Sequence, residues 1–258
     1  MSENERACEK IGAIKERLGA AGDEELPSLI AAYRTDPRAG VQKLVAAAQK
    51  RYDKLLQEIA RTDALKKYEK TYDNYLYICG VDEVGRGPLA GPVVAGAVIL
   101  PKDCSLLYIN DSKKLSAAKR GMLYDRIMEE AVAAATGMAG PERIDEINIL
   151  QATYEAMRDA IAKLSPQPDL LLNDAVTIPG VDIPQVAIVG GDGKSISIGA
   201  ASIIAKVTRD RMMEAYEDIY PGYGFFANKG YGTAEHVKAL QAYGPTPIHR
   251  RSFIGHFV

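Results

Sequence analysis

The sequence lacks most of the features that sort a protein quickly. It has three cysteines, Cys8, Cys79 and Cys104, far apart and with no CxxC pair. An odd, unspaced set argues against a disulfide framework and fits reduced thiols in a cytosol. There is little excess charge: the formal net of −2 over 258 residues names no partner. There is no long hydrophobic run. The longest, Leu89–Leu100, is interrupted by Pro92 and is too short to span a bilayer. The opening MSENERACEK is polar and mixed in charge, unlike a signal peptide. No internal repeat, low-complexity tract or nucleophilic triad is visible. The expectation is a soluble, cytoplasmic protein, monomeric and without a membrane partner.

What is present is a composition able to bury a core, 47% hydrophobic and 26% charged. At this length it suits one large domain and a smaller one. The charge is unevenly divided. Residues 1–74 carry 14 Lys/Arg against 13 Asp/Glu, residues 75–219 carry 14 against 20, and residues 220–258 carry 4 against 1. All three histidines, His236, His249 and His256, lie in that last segment. An acidic middle beside a basic tail suits a metal-dependent enzyme acting on a polyanion.

Periodicity places the boundary near Asn74. Before it, Ile11, Ile14 and Leu18, then Leu44, Ala48, Tyr52, Leu55 and Ile59, recur at helical spacing. Residues 1–74 are expected to form an all-helical accessory domain, ending in a long helix that runs toward Tyr72. Residues 75–258 alternate strands and helices. Tyr77–Val84 and Pro92–Leu100 read as a hairpin, and Ala134–Met138, Asp169–Val176 and Gln185–Val189 as further strands, the last two buried. Ser116 caps a helix over Ala117–Ala131, a stripe from Ile144 to Leu164 is a second, Ile196–Ile219 a third, and Thr233 opens one ending before Gly244. The fold class is α/β, a sheet with helices packed on it.

Three of the apolar strands run into an aspartate: Asp82 after Ile78–Val81, Asp174 after Leu170–Leu172, and Asp192 after Val186–Val189 and two glycines. A half-buried carboxylate is costly unless paired or bound to a cation. Several together raise one another's pKa unless a metal neutralises them. Hard oxygen donors without a His or Cys pair point to Mg2+ or Mn2+ rather than zinc. The competing reading is that each aspartate merely caps a turn or a helix. Glu83 beside Asp82 poses a difficulty, because neighbouring strand residues face opposite ways. Both reach one site only if the strand bends or ends at Glu83.

Gly85-Arg86-Gly87-Pro88-Leu89-Ala90-Gly91 is spaced GxGxxxG and leads into a strand, which excludes the dinucleotide fingerprint. Its glycines still permit close backbone approach to a ligand, and Arg86 can hold a phosphate.

These residues, read together, resemble ribonuclease HII, the type 2 ribonucleases H. GVDEVGRGPLAGPVVAGAVIL is similar to that family's signature, and NDSKKLS, IDEINILQAT, LLNDA, GGDGKSISIGAASIIAKVTRD, NKGYGTAEH and GPTPIHRRSF follow in order over about residues 76–255. The helical residues 1–74 resemble the N-terminal extension of some Gram-positive bacterial members. The resemblance implies a ribonuclease H-like mixed sheet flanked by helices, and two divalent ions (Mg2+ or Mn2+) held by Asp82, Glu83, Asp174 and Asp192. It implies hydrolysis 5′ to ribonucleotides in RNA–DNA hybrids and in duplex DNA with embedded ribonucleotides, leaving 3′-hydroxyl and 5′-phosphate, as in ribonucleotide excision repair. It assigns reading of the 2′-hydroxyl to Gly85, Arg86 and Gly87, and the ribonucleotide–deoxyribonucleotide junction to Tyr231. Lys113, Lys114, Lys194 and Lys229 are candidate phosphate contacts, with Arg250 and Arg251 as further ones. Asp210, between Arg209 and Arg211, is expected to be ion-paired outside the site, and the histidines take no proton-transfer role.

Overall fold

The computed structural model describes residues 9–258, so Cys8 lies outside it. Packing divides the chain between Asp63 and Ala64 into two compact units. The first is helical, with α1 (Ile11–Ala20), α2 (Leu26–Tyr33) and most of α3 (Ala39–Leu65). Ile14, Leu18, Leu26, Ile30, Val41 and Val45 close its core, the apolar stripe that helical spacing demands. Between α2 and α3 the Asp36 carboxylate accepts the Arg38 backbone N–H at 3.0 Å and pairs with its guanidinium at 2.6 Å. The helix expected to run on toward Tyr72 stops at Leu65, and a separate short helix, α4 (Lys67–Thr71), follows. Lys66 sits at the break with ψ near zero, its ammonium on the Cys104 carbonyl.

The second unit holds β1 (Ile78–Val84), β2 (Val93–Ile99), α5 (Ala117–Glu130), β3 (Ala133–Ala139), α6 (Pro141–Ala162), β4 (Leu170–Asp174) and β5 (Gln185–Ile188). It continues with α7 (Ile196–Ile219), α8 (Phe225–Asn228), α9 (Ala234–Tyr243) and α10 (Arg251–Ile254). The sheet order is β3-β2-β1-β4-β5. The β3-β2-β1 pairs are antiparallel, and β1-β4 and β4-β5 are parallel, so the sheet is mixed.

Strand alternation assigns the two faces. Cys79, Val81, Ala95, Ala97 and Leu171 pack against Met157 and Ala160 of α6. The intervening positions face α7, and on the central strands two of them are glycine. A Cβ on Gly80 would lie 2.0 Å from the Ser197 carbonyl carbon, and one on Gly96 2.3 Å from the Ala201 oxygen. The backbone of α7 therefore lies directly on β1 and β2, through its buried small residues Ser197, Gly199, Ala200 and Ala201. Gln185–Val189, expected to be buried, is instead the half-exposed sheet edge, with Val189 75% exposed. The Gln185 amide accepts from Asn173 at 2.8 Å and donates to the Ile178 carbonyl at 2.9 Å, a polar plug where a core strand would carry an aliphatic. Cys79 and Cys104 are free and buried, and burial pushes the Cys79 thiol up to about 12, the state of an inert core residue.

Candidate active site

The strands β1, β4 and β5 run in one direction, so their C-terminal ends lie side by side. Asp82 pairs with Gly96 across the β1–β2 ladder and therefore faces α7; it is 6% exposed. Asp174 is the last residue of β4, two beyond Leu172, which packs with Ile198 of α7. Alternation turns Asp174 to the same face. Its Oδ1 accepts the Gly191 N–H at 2.7 Å, which ties β4 to the turn Gly191–Gly193 carrying Asp192. That turn leads directly into α7: the Ser195 N–H donates to the Gly191 carbonyl at 2.8 Å, and the Ser195 hydroxyl accepts the Ile198 N–H at 3.2 Å as an N-cap. The Glu69 carboxylate of α4 accepts hydrogen bonds from the Ser195 hydroxyl at 2.6 Å and the Ser197 N–H at 3.1 Å, a carboxylate at a helix N-terminus.

Glu83 reaches this edge without ending its strand. It remains paired with Ala95, and Val84 with Val94. What ends is the neighbouring ladder: β1 and β4 pair only as far as Val81 and Asn173. Beyond that pair the β1 edge is open, and Glu83 can interact with Asp174 there although it points to the other face. The Glu83 N–H donates to Asp82 Oδ1 at 2.8 Å, and its carboxylate lies 3.5 Å from the Arg86 guanidinium.

The charges interact strongly. Burial, then the neighbouring charge on Glu83 and, more weakly, that on Asp174 push the Asp82 carboxyl up to about 8, with the Ser202 hydroxyl acting against them. Glu83 is raised by burial and by Asp174, opposed by Arg86 and Lys113. Asp192 is raised by burial, by Asp111 and by Asp174, again opposed by Lys113. Asp111 is thus a fifth carboxylate at the site. Its Oδ1 accepts the Lys113 N–H at 2.9 Å, opening the 3-10 turn Ser112–Lys114. Sequence reasoning quoted its motif without singling it out; an acid just before two lysines was the available signal.

Among the described residues, no three Asp, Glu, His or Cys side chains already form a group that would hold a metal ion. The fit to a divalent cation rests on the chemistry of the donors. They are hard carboxylate oxygens, and like charges that raise one another are relieved by a cation.

The lysines divide. The Lys113 charge acts on both Glu83 and Asp192. Lys194 sets its ammonium on the Val189 carbonyl at 2.6 Å, and Lys229 sets its own on Glu214 at 2.7 Å, over the Phe226 ring. Lys114 is exposed, 3.6 Å from Asp111. Arg250, expected as a phosphate contact, is fully buried instead. Its guanidinium donates to the carbonyls of Gly85 (2.6 Å), Arg86 (2.9 Å) and Gly91 (2.9 and 2.8 Å), so it holds the glycine loop from beneath. Arg209, also fully buried, donates to Ala90 (3.0 Å), Pro92 (2.9 Å) and Lys229 (2.8 Å), joining that loop to the NKGYG segment. Both were missed as organisers of the loops. For Arg209 there was a signal, since it continues the buried four-residue stripe Ala201, Ala205, Arg209, Met213. Asp210 behaves as expected, pairing with Lys206 at 2.6 Å and with Arg120 of α5 at 3.7 Å.

Gly85 has φ +91°, a conformation open to glycine, and a Cβ there would strike the Arg209 side chain at 2.2 Å. Tyr231 stands beside this loop: its Cε1 is 3.9 Å from where a Gly87 Cβ would be, and the residue is 42% exposed. The edge therefore combines acids, a backbone-lined loop and an exposed aromatic.

Comparison with known proteins bears on the family and the fold. The family model for ribonuclease HII matches residues 79–256, and that for the ribonuclease HII N-terminal domain matches residues 10–73. A ribonuclease HII from Lachnoclostridium phytofermentans is 61% identical over 245 residues, covering 95% of this chain and 96% of that one. The crystal structure of ribonuclease H2 from Pyrococcus horikoshii superposes with a TM-score of 0.56 at 28% identity, over 68% of this chain and 93% of that one. A Bst-RNase HIII described in complex with Mn2+ shares the fold, with a TM-score of 0.51 at 18% identity over 66% of this chain and 63% of that one. The chain belongs to the ribonuclease HII family and is a ribonuclease H.

Proposed function

We propose that this enzyme hydrolyses the phosphodiester 5′ to a ribonucleotide, both in RNA–DNA hybrids and in duplex DNA with embedded ribonucleotides, and leaves a 3′-hydroxyl and a 5′-phosphate. The observation that carries the reading is the junction of mutually raised acids with a clamped, backbone-lined loop at one sheet edge. Asp82, Glu83, Asp174 and Asp192 would hold two divalent ions, Mg2+ or Mn2+. Bound there, such ions supply Lewis acidity, making a water more acidic and steadying the leaving oxygen. The Mn2+ recorded with the Bst enzyme supports this choice of ion.

The chain's own residues do the rest. Lys113, whose charge already opposes that of Glu83 and Asp192, would approach a bridging phosphate. The 2′-hydroxyl both donates and accepts, so a backbone segment offering N–H and C=O groups is suited to read it. Gly85, Arg86 and Gly87 offer such a segment, and Arg250 holds the peptide planes of the first two. Tyr231, half exposed beside Gly87, would stack at the ribonucleotide–deoxyribonucleotide junction. On this reading the enzyme would act in ribonucleotide excision repair.

The test is nicking, with Mg2+ or Mn2+, of a DNA duplex carrying one ribonucleotide against the same duplex in DNA alone. Cleavage 5′ to the ribonucleotide, lost in chelator, is the expected result. Equal nicking of both duplexes, or binding without nicking, rejects the reading.

A further inference from the structure

Behind Tyr231 lies a chain of hydrogen bonds that the catalytic reading does not use. His236, in the first turn of α9, is fully buried, and His249 is 2% exposed. Their Nε2 atoms are 3.0 Å apart. His236 Nδ1 lies 2.8 Å from the Tyr231 carbonyl. His249 Nδ1 lies 3.0 Å from the Thr246 backbone nitrogen and 2.9 Å from the Thr246 hydroxyl. Tyr223 and Phe225 pack around both rings, with centroids 5.2 to 6.4 Å away.

Only one proton arrangement satisfies every contact. A backbone N–H can only donate, so His249 Nδ1 must accept from Thr246 and carry no proton. The neutral ring then bears its proton on Nε2 and donates it to His236 Nε2. His236 in turn carries its proton on Nδ1 and donates to the Tyr231 carbonyl, which can only accept. Charging His249 would aim an N–H at the Thr246 N–H, and charging His236 would set two Nε2–H groups against each other. Both rings are neutral, in opposite tautomers.

The chain ends on the backbone of one residue. The Tyr231 carbonyl also accepts the Thr233 N–H at 2.8 Å, and the Tyr231 N–H donates to the Asn228 carbonyl at 2.9 Å. Just before it, the Gly230 carbonyl accepts the Leu89 N–H at 2.8 Å. At the other end, the residues flanking His249 grip the glycine loop: Gly91 N–H donates to the Ile248 carbonyl at 2.8 Å, and Arg250 N–H to the Leu89 carbonyl at 2.9 Å. One segment, Thr246–Arg250, thus holds the glycine loop with its backbone and Arg250, and Tyr231 through two imidazoles.

We propose that His236 and His249 are positioning residues that fix Tyr231 against Gly87, so that selection of an embedded ribonucleotide depends on their paired tautomers. The inference rests on the reading of Tyr231 as the junction residue. Two substitutions at His236 separate selectivity from stability. In His236→Asn the side-chain amide occupies the Nδ1 position and still donates to the Tyr231 carbonyl, but leaves His249 Nε2–H without an acceptor. In His236→Gln the amide reaches His249 and leaves the Tyr231 carbonyl to Thr233 alone.

The measurement is kcat/KM of the full chain on a duplex with one embedded ribonucleotide, relative to a continuous RNA strand on DNA, alongside Tm. His236→Gln should lower that ratio by about five- to tenfold, the value of one hydrogen bond, with the smaller loss of Tm. His236→Asn should keep the ratio and lose more Tm. In a Tyr231→Ala background His236→Gln should leave the ratio unchanged. A ratio that tracks Tm in both variants, or an unchanged ratio in His236→Gln, overturns the inference while the wild type still discriminates. A wild type that nicks neither substrate overturns the reading of the site itself. Nitrogen-15 NMR of the unmodified protein tests the chain without any substitution. Protons on His236 Nδ1 and His249 Nε2 are expected near neutral pH, and the reverse assignment overturns the inference.

Discussion

At Asp82 folding and the proposed function pull in opposite directions. The carboxyl is buried against α7 beside Glu83 and Asp174, and in the absence of a cation its charge is unfavourable enough to hold it up to about 8. Asp82→Asn keeps the Oδ1 that accepts the Glu83 N–H and removes the charge. In chelator this variant should melt higher than the wild type by about 2–4 °C, the equivalent of ~1 kcal/mol in a protein of this size. With divalent ion present it should lose most turnover, and the ion should raise its Tm less than it raises that of the wild type. A variant that melts lower in chelator would show that the hydrogen bonding of the carboxylate, including that from the Ser202 hydroxyl, outweighs the cost of its charge. Asp82, Asp174 and Asp192 could be picked out because apolar strands running into aspartate form a pattern in one dimension, and Glu83 because it adjoins the first of them. Arg209 and Arg250 were harder to read, because their partners are backbone carbonyls, which every residue possesses. The sequence motif around Arg250 suggested a phosphate contact, whereas its burial makes it a clamp.

At the scale of elements, the site depends on how closely α7 lies on β1. Asp82 and Asp174 share the face that α7 covers, and Asp192 sits in the turn that starts α7, so a shift of that helix would move the acids relative to one another. Gly80 sets the approach: its missing Cβ leaves the space that the Ser197 carbonyl occupies. Gly80→Ala should force α7 outward at a cost of about 3 kcal/mol, the upper range for overpacking. Turnover should fall more than Tm implies, because the substitution separates Asp82 from the Asp192 turn. Full activity in the folded Gly80→Ala protein would refute that coupling. Strand and helix spans were largely readable here, since Ile196–Ile219, the Ser116 and Thr233 caps and the hairpin follow from periodicity and capping chemistry. The break at Lys66 and the exposure of β5 were not. The first occurs within a continuous helical pattern, and the second depends on sheet order, which local patterning leaves open.

Over the whole molecule, two of the four cationic side chains in the basic tail and two of its three histidines are consumed internally, while Lys238 and Arg251 stay exposed. Arg250 is spent on carbonyls, Lys229 on Glu214, and His236 and His249 on each other. His236 and His249 therefore bear on stability rather than on attraction of substrate. Burial lowers His236, and burial together with the neighbouring His236 lowers His249 to about 4, with Arg251 adding a smaller push in the same direction. Between the ordinary histidine value of 6.5 and about 4, the unfolded chain holds a proton on residue 249 that the folded chain refuses. Stability from His249 is therefore complete above 6.5 and declines as the pH falls toward 4. The raised acids Asp82, Glu83 and Asp192 act in the opposite sense when no cation is bound. Comparison of the wild type with His249→Gln cancels that contribution, since both proteins carry the same acids away from the substituted ring. The wild type should melt higher by a constant margin above about pH 6.5, and the margin should shrink steadily on acidification toward about pH 4. A margin that stays constant across that range would mean that His249 titrates alike in the folded and unfolded chain.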